Sequence, residues 1–375
     1  MSMDIEVLED SSHHRYVLNM GPQHPSTHGV LRVLLELEGE YAMHLLPVLG
    51  YGHRCHEKIA EFKPAKSFMP NTARMDYLGA LIYNHGFAQL LEKAVGIEVP
   101  ERAEYIRVIT SELNRIQSHL LWYGAYLLDL GAFTPIMYAF DDREHILDIL
   151  EDVTGSRLTY CYFRVGGVSK DIDEKFVTKT RAFIDRLRSR YSLYETLVNG
   201  NVILENRLND VGDLNPHTCN RYGITGPLLR GTGVAYDIRR AEPYSIYSQF
   251  DFEIPTATKG DCMASFMVRF RELEQSLRII EQALDGLPEG PVMAAKVPKK
   301  LNIPAGDYNS SVESPRGELS FYLVSDGTDV PYRLKVRTPS YSNLSVVPEM
   351  CQGMLISDVV SAMGALDLVI PEIDR

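Results

Sequence analysis

No Cys-X-X-Cys pair occurs anywhere in this chain. Its five cysteines, Cys55, Cys161, Cys219, Cys262 and Cys351, are odd in number and widely separated. That scatter argues against a disulfide framework and against a zinc or nickel site built on close thiolate pairs. It suggests reduced thiols in a cytosolic compartment. Long hydrophobic runs are missing too. Nothing reaches the ~18 consecutive apolar residues needed to cross a bilayer, so a lipid-soluble substrate would have to be met through a membrane-bound partner. Positive charge is in deficit: 38 Lys and Arg face 50 Asp and Glu, a net −12, with a pI near 5.4. A general nucleic-acid or anionic-lipid surface is therefore not expected. Met1 to Arg15 lacks an apolar core for secretion and the Arg- and Ser-rich character of a transit peptide. Gly166-Gly167 and Gly231-Thr-Gly233 do not follow a strand with GxGxxG spacing, so no nucleotide loop is indicated. Repeats and low-complexity tracts are absent from the sequence.

What is present is a chain of 375 residues, long enough for two or three intimately packed subdomains. Arg15 to Val48 reads as β structure. Val30–Leu37 and Tyr41–Val48 form a hairpin about Glu38-Gly39-Glu40. Ile106, Ile109, Leu113, Ile116, Leu120, Tyr123 and Leu127 recur at steps of three and four, which predicts an amphipathic helix from Glu101 to Leu130. Pro100 stands at its entry and Gly131 just past its end. Thr134-Pro135 reads as an N-cap with proline at the first helical position, starting a helix to about Val153. Asp171 with Glu174 reads as a capping box for a helix to Leu197, ended by Asn199-Gly200. Met263–Leu284 is a fourth long helix. Pro216–Pro255 looks irregular. Glu318–Val324 and Tyr332–Arg337 read as strands joined around Asp326-Gly327, and Leu355–Leu368 as a terminal helix. The expected class is α+β. Residues 1–70 would form a β-rich region, 71–290 a helical bundle and 291–375 a closing α/β segment.

One stretch carries the most chemistry: Asn19-Met-Gly-Pro-Gln-His-Pro-Ser-Thr-His-Gly29. Pro22 and Pro25 fix φ and remove two donors, while Gly21 and Gly29 tolerate positive φ. The segment reads as a stiff loop presenting His24 and His28, side chains that exchange protons near neutral pH. Asp129 draws attention for another reason. A carboxylate at the negative end of a helix dipole is ill placed and requires a compensating donor.

The wording of that loop resembles the opening of the 49-kilodalton, D-type subunit of respiratory complex I, a family related to the large subunit of nickel-iron hydrogenases. The resemblance runs nearly end to end. It is carried also by Gly52-His53-Arg54 with Glu57-Lys58, Arg74-Met-Asp-Tyr77, Tyr105-Ile-Arg107, and Ser111-Glu-Leu-Asn-Arg115. Leu128-Asp-Leu-Gly-Ala-Phe-Thr-Pro135, Tyr162-Phe-Arg-Val-Gly-Gly167, Pro315-Arg-Gly-Glu318 and Glu372-Ile-Asp-Arg375 complete the ordered set.

The resemblance implies a hydrogenase-large-subunit-like fold, a central helical bundle flanked by an N-terminal β-hairpin region and a C-terminal β/α segment. It implies quinone reduction with electrons from an iron–sulfur cluster in a small partner subunit of the B type. Partners of the C type and the membrane-arm H type follow, with a peripheral place on the cytoplasmic side of a bacterial or archaeal membrane. His28 and Tyr77 would then bond the two quinone carbonyls and Asp129 would pair with His28. Arg54 and Arg74 would lie close to the partner's cluster and raise its potential. His24 would shape the loop. This chain alone would bind no cofactor and no metal. The thiolate pairs of hydrogenases are missing, which speaks against hydrogen chemistry. Departures from the family are Thr72-Ala73 before Arg74, Cys55-His56 in place of Gly-Thr, and Thr159 where many members have a histidine that couples the cluster's potential to pH. Two other readings stand beside this one: a noncatalytic scaffold, and a metal-free scaffold subunit of a membrane hydrogenase-type complex. The electron donor, the quinone type and the pumping stoichiometry are not written in this chain.

Overall fold

The structure is a computed structural model that describes residues 5–10, 13–23, 29–198 and 200–375, with side chains from Arg15 onward. It is a mixed α+β arrangement in which three small antiparallel sheets surround a helical core.

The N-terminal sheet has five strands in the order Ile5–Asp10, His13–Met20, Arg32–Glu38, Tyr41–Val48 and Met354–Leu355. Burial alternates along Arg32–Glu38, so Val33, Leu35 and Leu37 face the core, as the period of two requires for a half-covered sheet. The expected hairpin is present and turns at Gly39, where φ is +63°. Arg32 pairs with Val48. Met20 and Arg32 therefore sit at the end of the sheet away from that turn, and the connection between them starts and finishes there. The closing strand, Met354–Leu355, pairs with Ala42 and Tyr41, joining the far end of the chain to this sheet.

The long helix Glu101–Asp129 is the spine. Its apolar positions are buried as the three-four period predicts. So are Arg107, Glu112, Asn114, Arg115, Gln117, Ser118 and His119, so the helix is enclosed on nearly every side. Helix Ala80–Val95 packs beside it and buries all but three of its 16 residues. A helix with no wet face carries no amphipathic stripe, which is why periodicity does not mark it.

Helix starts differ in detail from the expected caps. Phe133 holds the N-cap position of Thr134–Thr154, and Thr134 is already helical. Helix Glu174–Val198 is capped by Asp173, whose Oδ1 accepts from the Phe176 N–H at 2.8 Å. Asp171 instead takes the Arg102 guanidinium at 3.0 Å. Asn199 lies outside the described residues. Asp261 caps Cys262–Asp285 by accepting from the Ala264 N–H at 2.7 Å. The stretch read as irregular holds three short helices, Pro216–Tyr222, Gly226–Gly231 and Ile238–Ala241, and a 3-10 turn. The two strands expected near the C-terminus acquire a third partner, Gly306–Ser314, on the other side of Gly317–Ser325. The helix expected to close the chain spans Ile356–Ala365 and stops short of Leu368, and a further short helix, Ile370–Asp374, follows it. Asp367 then adopts φ +52°, a conformation that aspartate tolerates better than most residues.

Candidate functional site

Tyr77 and Asp129, more than fifty residues apart in sequence, line one cavity of about 370 Å³. Its long wall is the last two turns of the spine helix. Leu121, Ala125 and Asp129 fall at steps of four on one face, with Trp122 and Tyr126 beside them. Gly364, Asp367, Leu368 and Val369 form the second wall, and Tyr77 with Leu78 the third. The lining is mostly apolar and aromatic with a few convergent polar groups, the usual make-up of a small-molecule site.

The walls are tied together at specific atoms. Trp122 Nε1 donates to the Gly364 carbonyl at 2.9 Å, and the Tyr126 hydroxyl donates to the Ser361 carbonyl at 2.9 Å. The two rings stack with centroids 5.1 Å apart. Residue 364 must be glycine here, because a Cβ would lie 2.5 Å from the Tyr126 ring.

The third wall is set by Asp76. Its Oδ1 accepts from the N–H groups of Leu78 at 2.9 Å and Gly79 at 3.0 Å, closing a tight turn. Its Oδ2 takes Arg316 Nη1 at 2.8 Å, while Arg316 Nη2 donates to Ser118 Oγ at 3.2 Å. Asp76 and Arg316 are fully buried. Burial pushes the Asp76 carboxyl up from its ordinary range, against the pull of Arg316. Tyr77, half-buried, has its phenol pushed above its usual value by burial first and by the Asp76 charge second.

On the same turn, three residues before Tyr77, Arg74 points to the exposed side. Its Nη1 donates to the Pro70 carbonyl at 2.5 Å. Arg54 Nη2 donates to the carbonyl of Arg74, which places the two arginines side by side. Close by, Cys55 Sγ is 3.3 Å from His53 Nε2. His56 is buried and has no hydrogen-bond partner among the described residues. Burial first, then the charges of Arg54, His53 and Arg74, lower it to about 4. Among the described residues, no group of three or more His, Cys, Asp or Glu is placed to hold a metal ion. No described helix is long and apolar enough to cross a membrane.

Of the residues singled out from sequence, then, Tyr77 and Asp129 meet in one cavity, and Arg54 and Arg74 meet on an exposed face. His24 and His28 lie outside the described residues, so the expected pairing of His28 with Asp129 is not described. Trp122, Gly364 and Asp367 were not anticipated. The first had a signal, since it is the single tryptophan of the chain and sits on the spine helix seven residues before Asp129. Gly364 and Asp367 had none.

Comparison with known proteins shows the family of the chain. A profile of the family described as "Respiratory-chain NADH dehydrogenase, 49 Kd subunit" matches residues 129–302 and 295–375. The D subunit of the NADH-quinone oxidoreductase of Desulfotalea psychrophila is 56% identical over 360 residues, 96% of this chain and 97% of that protein. The chain belongs to the 49-kilodalton subunit family. Two more relatives of the same name agree. The D subunit of Syntrophobacter fumaroxidans is 57% identical over 96% of both chains. The D2 subunit of Opitutus terrae is 55% identical over 97% of this chain and 91% of its own. In this 49-kilodalton-type chain, three of the stretches singled out from the sequence converge on one place. Arg74-Met-Asp-Tyr77 and Pro315-Arg-Gly-Glu318 are joined through Asp76 and Arg316. Glu372 of the closing motif accepts from Tyr83 in the adjoining helix.

Proposed function

We propose that this chain is the quinone-site subunit of a complex I-type oxidoreductase, and that the cavity between Tyr77 and Asp129 receives the quinone headgroup. The observation that carries this reading is the meeting of those two side chains across an apolar, aromatic-walled space of about 370 Å³.

The raised pKa of Tyr77 suits the reaction. A phenol held above its ordinary value is fully protonated at neutral pH and gives nothing to a neutral carbonyl. Once two electrons have made the quinone oxygen strongly basic, a positioned phenol protonates it. His28 would serve the other oxygen, with Asp129 orienting its ring and supporting its charged form. His24 would shape the loop. Arg54 and Arg74 present paired positive charge on an exposed face. There they would face the iron–sulfur cluster of a small B-type subunit, the group that supplies the electrons. Subunits of the C type and H type would complete the surroundings, on the cytoplasmic side of the membrane. In this reading the fold is that of a hydrogenase large subunit without its metals. The change of charge at His28 and Asp129 would start the signal to the proton-pumping arm.

Tyr77→Phe tests this. In the assembled complex it should lower quinone reductase turnover by roughly 10²-fold or more, the usual weight of a positioned acid, while partner cluster content is kept. Normal turnover with short- and long-tailed quinones would refute the assignment.

A further inference from the structure

Three buried carboxyls and one guanidinium stand directly behind the cavity, and only part of this group is explained by holding the Tyr77 turn. Arg316 reaches Asp76 at 2.8 Å and Asp367 at 3.6 Å. Glu372 is near enough to feel the charges of Arg316 and Asp76. Its Oε1 accepts from the Ser340 N–H at 2.8 Å and its Oε2 accepts from the Tyr83 hydroxyl. Asp76, Glu372, Tyr83 and Arg316 are completely buried and Asp367 is 5% exposed. Arg269 also faces this group, through Asp367, and is buried against the Trp122 ring at 4.5 Å. Counting both arginines, three ionised carboxylates would leave one negative charge in excess in a dry interior. Such an excess is relieved by keeping a proton. One member opens toward the quinone. Asp367 lines the cavity, and its Oδ2 has no hydrogen-bond partner among the described residues.

We propose that Asp76, Asp367 and Glu372, gathered on Arg316, form a buried proton store for the cavity, with Asp367 as its outlet beside Tyr77. The proposal rests on the reading of the cavity as the quinone site. When the reduced quinone oxygen takes the Tyr77 proton, the O–H bond of Tyr77 breaks and a phenolate is left beside the store. The phenolate regains a proton from the store. The single stored proton leaves Glu372 and is handed on at the Asp367 carboxylate, which faces the cavity, and Glu372 takes a new one from solvent between turnovers. Two electrons from the partner's cluster and two protons, one through Tyr77 and one through His28, convert quinone to quinol. Glu372 is the natural resting place of the stored proton. Burial, then the Asp76 charge, push its carboxyl up to about 7, while Arg316 and the hydrogen bonds from Ser340 and Tyr83 pull the other way.

The sign of the pH dependence follows. The store is full below about pH 7 and empties above it. In the assembled complex with a short-tailed quinone, turnover should fall as pH rises through that value. Glu372→Gln removes the store. Its turnover near pH 6 should drop roughly tenfold, toward the level the unaltered complex reaches at high pH, and the inflection should vanish. Tyr83→Phe removes a donor to the ionised carboxylate, so the inflection should move up by about one pH unit. Infrared difference spectra taken on quinone reduction should show loss of a protonated-carboxyl C=O band that is missing in Glu372→Gln. An unchanged inflection and band in Glu372→Gln would overturn the proposal. If that variant does not assemble, Tyr83→Phe decides, and an inflection that stays put or moves down overturns it equally. Occupancy of the cavity is read separately, as quinone quenching of fluorescence that Trp122→Phe abolishes. No such quenching would overturn the reading of the cavity itself. Quenching together with an unchanged pH profile would overturn the proton store alone.

Discussion

Arg316→Met should destabilise the chain strongly at neutral pH and much less in acid. Arg316 is fully buried and is the direct countercharge of Asp76 at 2.8 Å and of Asp367 at 3.6 Å. It also supplies the donor for Ser118 Oγ. Methionine fills a similar volume but leaves both carboxyls without that charge. Breaking a buried pair from one side costs about 3–5 kcal/mol. For a chain of 375 residues, an unfolding entropy of ~2.1 cal/mol/K per residue gives ~0.8 kcal/mol/K, so a loss of ~4 kcal/mol lowers Tm by ~5 °C. The pH dependence has a definite sign. Burial already raises the folded-state pKa of Asp76, and removing Arg316 raises it further. A carboxyl whose folded pKa lies above its unfolded value costs nothing while both states are protonated. It destabilises progressively as pH climbs past the unfolded value near ~4. The deficit should therefore be small at about pH 5 and complete at about pH 7.5. Unfolding of the purified chain, followed by circular dichroism at both pH values, measures it. The double variant Asp76→Asn with Arg316→Met should recover ~2 kcal/mol of the loss, because the uncompensated charge is gone. A deficit equal at both pH values, or below ~1 kcal/mol at neutral pH, would refute the assignment of Arg316 as the charge that holds this site.

Gly79→Ala should act on the same group from another side. A Cβ there would sit 2.6 Å from Asp76 Oδ2, so the carboxylate must leave Arg316 or the turn must open. A stability loss of ~2 kcal/mol together with a raised KM for quinone is expected, and unchanged values of both would contradict the geometry. On the proposed function, the potential of the partner's cluster should depend weakly on pH, since Thr159, which does not titrate in that range, stands where the resemblance implies a histidine. His56, held near 4, stays neutral through the physiological range. A redox titration with a slope near −60 mV per pH unit, the value for one proton per electron, would refute this. Thr159 adopts φ +50°, which a β-branched residue does poorly, so Thr159→His should be accommodated and should steepen the slope.

The parts of the fold that were legible in the sequence are those whose faces differ in polarity. The 32–48 hairpin and the strands Gly317–Ser325 and Arg333–Arg337 carry the alternation that half-burial imposes, and the spine helix, although enclosed, keeps its apolar residues at steps of three and four apart from buried polar ones. Helix Ala80–Val95 was not legible because it is dry all round. Helices Pro216–Tyr222 and Gly226–Gly231 were not, because proline and glycine begin and end them within a few residues. Caps failed by one or two positions where two acids compete. Asp173 caps the helix that begins at Glu174, and Asp171 is drawn off by Arg102. Tyr77 and Asp129 were singled out through motif resemblance, and the structure brings them to one cavity. Asp367 was not, since its importance lies in a position that no local pattern marks. It sits where helix Ile356–Ala365 has ended early and the backbone turns left-handed.

The buried charge behind the cavity is better understood as a device for registration than as a source of stability. Ion pairs in the interior gain little over apolar packing of the same volume, because desolvation consumes most of the attraction. What they impose is geometry. Arg316 is planar, and its two outer nitrogens are committed to different elements: Nη1 to Asp76 in the turn before helix Ala80–Val95, Nη2 to Ser118 on the spine. A shift of either element by one residue would strand a charge. The Tyr77 turn is thereby fixed relative to the spine helix whose last residue is Asp129. Glu372 extends the same logic to the C-terminus, where Ser340 and Tyr83 hold its two oxygens. The adjoining Asp374 receives the N–H groups of Gly50 at 3.0 Å and Gly52 at 2.6 Å, next to the strand end opposite Arg32. The chain thus brings four distant segments to one place through groups that tolerate no slippage. That precision, spent on polar atoms in a dry interior, has a functional use if a phenol and a carboxylate must meet the same small molecule from opposite sides.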